Sequence, residues 1–386
     1  MTSALHSPPR GARRSSVLVL VLVMLAFTAA ALTAFVEKAG NDLLVEVRQS
    51  SAKRLRQEAF SALEVTLAVL EDFRQADNGL HSVAEGWGDP LTWAGWSPSE
   101  GRTVEVSFQD ESGKLPLSRA DMTTLTNLFE SWQMSPADAG RLADVLLGWM
   151  QTGYVYTSAV APDYANAQIP YAEPGRPMRS FGELAAIDYA KEVFFDENGL
   201  PNANYWRLVD DVSVFKYAQP NVNGANADVL GAVGQYTGTQ IQAIASFLSG
   251  TGSYAQEGQQ WFSSPVTLGA VAGLGGNTAP FTTTISALRI LVTVHEGSTR
   301  YRLSAVVAPQ GGATINQTNA TNPVAAAKNA APATATPVTN ASQPSSTATS
   351  AATAAAASQS INYPYTVLEM LENDDIPRNP AEGAPS

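Results

Sequence analysis

The chain contains no cysteine, which excludes disulfides, thiol nucleophiles and thiolate zinc sites. Histidine is almost as scarce. His6, His81 and His295 are the three present, and the last two lie far apart and read as surface residues. Charged residues make up only 15% of the chain, against roughly 25% in average usage. Their balance is acidic, with a formal net charge of −12, which disfavours nucleic acid or an anionic lipid surface as partner for the bulk of the molecule. There is no Gly-x-Ser-x-Gly elbow, no Walker A loop and no His-Glu-x-x-His helix. Gly273-Leu274-Gly275-Gly276 lacks the further glycine of a dinucleotide loop. The sequence offers no enzyme.

Its most prominent feature is a long uncharged run near the beginning. From Ser15 to Val36 valine, leucine and alanine dominate, and a helix of that length spans about 30 Å, the thickness of a bilayer core. Arg10, Arg13 and Arg14 precede the run and Glu37 is the first charge after it. The positive-inside rule then leaves residues 1–15 as a cytoplasmic leader, 16–36 as the membrane segment, and exports the remainder of the chain. Ala29-Ala30-Ala31 would suit signal-peptide cleavage. Against that, Leu44, Val47, Ser51, Leu55, Ala59, Leu63, Thr66, Leu70 and Phe73 recur at three- and four-residue steps, so an amphipathic helix continues from the apolar one. A removable signal needs no such extension. The span reads as an anchor.

Downstream, Arg102–Gln109 alternates Val104, Val106 and Phe108 with polar residues, as a half-buried strand does. Its match comes only near residue 282, where Ile285 to Val292, a turn at His295-Glu296-Gly297-Ser298, and Tyr301 to Val307 read as a hairpin. These strands, packed on the lower half of the long helix, predict an α+β head with residues 37–114 and 281–309 as its two parts. The intervening 115–280 reads as an insertion of short helices. Ser118 with Asp121 suggests a capping box, and Asn221-Val222-Asn223 and Thr237 suggest later caps. Residues 310–360 are Ala, Thr, Ser, Asn and Pro with Lys328 as the one charge, a composition that predicts a flexible linker. Beyond it, 361–386 contains an apolar cluster from Ile361 to Leu371, either a docking peptide or a strand returning to the sheet.

A basic leader, an abrupt apolar run from Ser16 and an amphipathic continuation resemble a type IV pilin or pseudopilin. Three internal segments narrow the resemblance to the K-type minor pseudopilins of type II secretion. They are Gly113-Lys114-Leu115-Pro116-Leu117-Ser118, Arg179-Ser180-Phe181-Gly182-Glu183-Leu184 and Pro220-Asn221-Val222-Asn223-Gly224-Ala225. Gly148-Trp149-Met150-Gln151 stands where relatives carry Asp-Trp-Arg-Asp. The resemblance implies a non-enzymatic subunit that caps and primes a pseudopilus, single-pass in the bacterial inner membrane with its head in the periplasm. It implies a prepilin peptidase cut between Ser15 and Ser16, although the residue before the cut is usually glycine. Leu20 then occupies the position where most pilins carry a glutamate that pairs with a neighbour's amino terminus; K-type subunits lack that glutamate. Leu20, Leu44, Val47, Leu55, Leu63 and Leu70 are accordingly assembly residues, and Gly113, Lys114, Asn221 and Asn223 family motif residues. The implied partners are other minor and major pseudopilins, the inner-membrane platform and the peptidase, with no nucleic acid. Calcium is the one ion some relatives suggest, but Asp196-Glu197-Asn198 and Asp210-Asp211 match no EF-hand spacing, so no metal residue and no cofactor is assigned. Two alternatives stay open: a minor pilin of a surface type IV pilus, and a membrane-tethered helix-hairpin-helix nucleic-acid binder, which this acidic insertion suits poorly.

Overall fold

One helix, α1 (Arg13–Asp77), runs 65 residues without interruption. The computed structural model describes residues 13–158, 161–166, 169–255, 258–273, 278–316 and 364–377. Gly40 does not break α1, which continues through it to Asp77. The helix stops where Asn78 turns left-handed at φ +55°, and the Gly79 amide closes the last turn on the Arg74 carbonyl at 3.0 Å.

Among the described residues six strands come after it: β1 (Arg102–Asp110), β2 (Leu115–Pro116), β3 (Val212–Ser213), β4 (Leu288–Glu296), β5 (Thr299–Pro309) and β6 (Tyr365–Glu372). Four of them make one antiparallel sheet in the order β1-β4-β5-β6. The expected hairpin is there, tightened to a turn at Gly297-Ser298 with Glu296 opposite Thr299. Gly297 sits at φ +59°, which a side chain would strain. One sheet face covers α1. Leu55, Leu63 and Leu70 pack there against Ile290, Val292 and Leu303, all at most 4% exposed.

The insertion contains α3 (Met122–Ser131), α4 (Pro136–Met150), α5 (Ala190–Phe194), α6 (Ala203–Asp211), α7 (Ala227–Gly234), α8 (Gly238–Leu248) and α9 (Pro265–Ala272), while the short α2 (Pro90–Trp93) precedes β1. It holds two apolar cores. Leu125, Leu128 and Phe129 of α3 meet Leu142 and Leu146 of α4 in the first, and Val229, Ile244, Phe247 and Phe262 build the second. Val214, Phe215, Val306 and Ala308 tie the insertion to the other face of the sheet.

The caps differ from the expected ones. Asp121 itself caps α3, accepting the Thr124 amide at 2.8 Å, so Ser118 is not the cap. Asn226, not Asn221 or Asn223, caps α7 through the Val229 amide at 2.9 Å. Thr237 does open α8 with a full capping box. The tail departs from expectation at its start. Residues 310–316 belong to the folded body: Thr314 pairs with Lys216, and Asn316 donates to the Val214 carbonyl at 2.6 Å. The linker expected over 310–360 lies outside the described residues from 317 onward. Of the two readings of the last segment, the structure takes the strand, since β6 completes the sheet.

Candidate functional site

Two regions gather the residues singled out by sequence: the bare half of α1, and the junction between head and insertion. On α1, the apolar stretch beginning at Leu18 is long enough to cross a membrane and none of it is buried within the protein. Leu20 is 61% exposed and Val47 is 55% exposed. Ser15, Ser16 and Leu44 lie on the same helix. Exposed apolar surface on this scale is costly in water and marks a region covered by lipid or partner helices. Leu55, Leu63 and Leu70 require a correction. They are 1%, 4% and 0% exposed and face the protein's own sheet, so they hold the head together and cannot present an assembly face. The helical period gives the apolar stripe but not what covers it.

At the junction the structure joins Gly113 and Lys114 to Asn221 and Asn223. The Asn221 backbone amide donates to the Ser112 carbonyl at 2.8 Å. Its side-chain amide donates to Asp110 Oδ2 at 2.6 Å and to the His81 carbonyl at 3.0 Å. Asn223 reaches the other way, donating to the carbonyls of Phe262 and Thr283 at 3.0 Å each and accepting the Phe262 amide at 2.7 Å. Gly113 packs so closely on the Gly224 backbone that a Cβ at Gly113 would overlap it, and Gly224 stands as close to Asp110. Two glycines are there for backbone contact. Lys114 Nζ bridges Glu111 at 3.1 Å and the Val209 carbonyl at 2.9 Å, and Arg289 adds a contact to Glu111 at 3.3 Å. The motifs therefore form a largely buried weld between sheet and insertion, in which Lys114, Asn221 and Asn223 are paired as buried polar groups usually are, while the buried Ser118 hydroxyl has no partner among the described residues.

Burial pushes the Asp110 carboxyl up to about 6, against the lowering effect of its Ser112 and Asn221 donors. His81 is not the surface residue expected; it is 8% exposed, with Nδ1 donating to the Thr283 carbonyl at 2.6 Å. Removing the Asn221 side chain strips Asp110 and the His81 carbonyl of a donor. We expect Asn221→Ala to cost about 3 kcal/mol, read by thermal unfolding. The loss should be larger at pH 8 than at pH 5, because Asp110 is mostly neutral at the lower pH and needs the donor less.

A second pair of motif segments meets inside the insertion. Trp149 Nε1 donates to Glu183 Oε2 at 3.2 Å, and Glu183 also accepts from Arg176 at 3.1 Å and the Arg179 amide at 2.8 Å. The expected helix start at Ser180 is a 3₁₀ turn over Phe181–Ala186, with Ser180 capping the Gly182 amide. Sequence reasoning missed Asp144. It is fully buried, and it accepts from Tyr154, Thr157 and Ser158 at 2.5–3.1 Å. Although burial raises it most, those donors prevail and hold its carboxyl down at about 2. An acid set among Ala143, Val145, Leu146 and Leu147 was the signal that could have found it.

The acidic candidates for a cation are committed elsewhere. Asp196 caps the amides of Asn198 and Leu200 at 2.9 and 2.8 Å, and Asp211 accepts from Trp132 at 2.8 Å and Asn226 at 2.5 Å. Among the described residues no group of three or more His, Asp or Glu side chains converges on one point.

Residues 107–196, from within β1 to just past α5, match the family model for type II secretion system protein K. That stretch is similar to the protein K family. The matched stretch contains Gly113, Lys114, Trp149 and Glu183 and ends before Asn221 and Asn223, which the weld joins to it. A chain in the crystal structure of the GspK-GspI-GspJ complex from the enterotoxigenic Escherichia coli type 2 secretion system is similar in fold, at 12% identity and a TM-score of 0.48, over 68% of this chain and 92% of that one. No curated protein matches the chain significantly.

Proposed function

We propose that this protein is a minor pseudopilin that sits at the tip of a type II secretion pseudopilus and primes its assembly. The observation that carries the reading is the stretch similar to protein K in a head whose long helix leaves its first half bare. The bare half is the membrane anchor before assembly and the contact with neighbouring subunits' helices after it. Its orientation puts residues 1–15 in the cytoplasm and the head in the periplasm. Leu20 brings no carboxylate to neutralise the amino terminus of a subunit above, and an unpaired charge in the apolar filament core would be expensive. The insertion adds bulk beyond what the α1-and-sheet head needs for its own core. Subunits can stack below this one and not above it. Its partners on this reading are other minor and major pseudopilins, the inner-membrane platform and a prepilin peptidase.

Peptidase processing is expected between Ser15 and Ser16, and mass spectrometry of the mature amino terminus checks it. A chain beginning at Ser16 supports the pilin route; one beginning after residue 30 means ordinary signal cleavage and removes the anchor. Coexpression with minor pseudopilins tests the assembly role. A detergent-stable complex, weakened by Val47→Glu with the head still folded, is the expected result, and failure to assemble under any condition argues against it.

A further inference from the structure

The last strand is held unlike its neighbours. β6 occupies the edge of the sheet, yet among the described side chains of 364–377 only Tyr365 and Ile376 are buried, each 7% exposed. In β4 and β5, by contrast, Ile290, Val292, Leu303 and Ala305 are fully buried. Val367 and Met370 of β6 stay 46% and 40% exposed. A register shift between Val306 and Val307 leaves Leu368 outside the ladder, and such bulges weaken pairing locally. Beside the main-chain ladder, the buried Tyr365 and a part-buried Leu368, the side-chain contacts that fix the strand are polar. On the α1 face, Glu372 accepts a two-pronged contact from Arg56 at 2.7–3.1 Å and the Tyr301 hydroxyl at 2.6 Å. On the opposite face, Arg289 Nη1 donates to Glu369 Oε2 at 2.8 Å. Just past the ladder, the Asn373 side-chain Oδ1 accepts the Arg302 amide at 3.0 Å.

Charge is complementary across this seam. Residues 364–377 carry Glu369, Glu372, Asp374 and Asp375 and no lysine or arginine, while arginines stand on both faces of the receiving edge. The site is also incompletely filled. A cavity of about 290 Å³ remains between β6 and the insertion, with Arg289, Glu369, Leu371, Tyr205 and Trp206 among its walls. The buried indole N–H of Trp206 has no acceptor, an unmet donor of the kind native structures seldom leave. Low burial is common to both edges, since β1 has no fully buried residue either; the unfilled cavity and the unmet donor are what set the β6 edge apart.

We propose that the outer edge of β5, flanked by Arg56 and Arg289, is a binding site for an acidic extended peptide, and that segment 364–377 of this chain is its resident but exchangeable occupant. Main-chain pairing supplies the attachment and the two arginines select acid at positions on either face of the strand, the mode in which peptides add to sheet edges. By chain length alone, residues 317–363 span up to on the order of 150 Å when extended, so their length does not hold the segment at this edge. A ligand carrying an acceptor to Trp206 would bind the same edge better than the resident does. With the resident gone, β5 becomes an open strand edge on the head.

Hydrogen exchange on the full chain in detergent micelles tests this. The β6 amides and the β5 amides that face them should exchange together, at least 100-fold faster than those of β4, and faster again in 0.5 M salt. A fluorescent peptide of sequence 364–377 should bind the full chain saturably, at least tenfold tighter when the resident carries Glu369→Lys with Glu372→Lys, whereas a scrambled peptide of the same composition should not bind. Protection of β6 equal to that of β4 would overturn the proposal, as would absence of peptide binding to the double variant. Dimers that dissolve on adding the peptide would mean that a second copy supplies the segment, and would overturn residence within one chain.

Discussion

Replacing Leu22 and Leu25 by arginine is expected to move the protein out of the membrane fraction. Both residues lie near the middle of the apolar run and are 64% and 68% exposed, so neither can withdraw into the protein. At a helix centre each leucine favours insertion by about half a kcal/mol and each arginine opposes it by about 3, a swing of roughly 7 kcal/mol for the pair. That exceeds the margin of one ordinary span. Alkaline extraction of membranes measures it: the wild-type chain should stay with the bilayer and the double variant should not. A wild-type chain recovered wholly in the soluble fraction would refute the anchor.

Leu55→Glu is expected to unfold the head, and this reverses what the helical period alone suggests. Leu55 is 1% exposed between α1 and the sheet. The substitution removes an apolar side chain, worth about 2 kcal/mol of burial, and puts a carboxylate into the core with no partner, which costs several kcal/mol more. Together these approach the whole stability of a domain, about 5–15 kcal/mol. Circular dichroism melts should show loss of the cooperative transition. Val47→Glu, on the exposed length of the same stripe, should leave the melt unchanged while weakening subunit contacts. If Leu55→Glu melted like wild type, the packing of α1 against the sheet would be wrong.

The contrast between those two substitutions shows where sequence reading reaches its limit. A period of three and four residues reports one apolar side of a helix and is silent on what lies against it. Leu20 and Leu55 share a helix, yet one is bare and the other covered. Alternation exposed β1, β4 and β5 readily, because each has one face on α1 and the pleat enforces the pattern. Strand β6 alternates weakly, since little of it is buried, and that left its role undecided. The junction was legible as motifs and not as chemistry. Asparagine before a helix suggests a cap, and only the fold shows Asn221 bonded to Asp110 while Asn226 does the capping. Asp144 was hidden because its donors lie ten to fourteen residues ahead in an irregular loop.

Position within the filament separates a subunit that primes assembly from one that builds the shaft. Immunogold labelling of sheared pseudopili against the insertion, with crosslink mass spectrometry to set stoichiometry, measures it directly. One label cluster at a single filament end, at far fewer copies than the major subunit, is the predicted result. Label spaced regularly along the shaft would contradict the tip assignment, whatever family the domain belongs to.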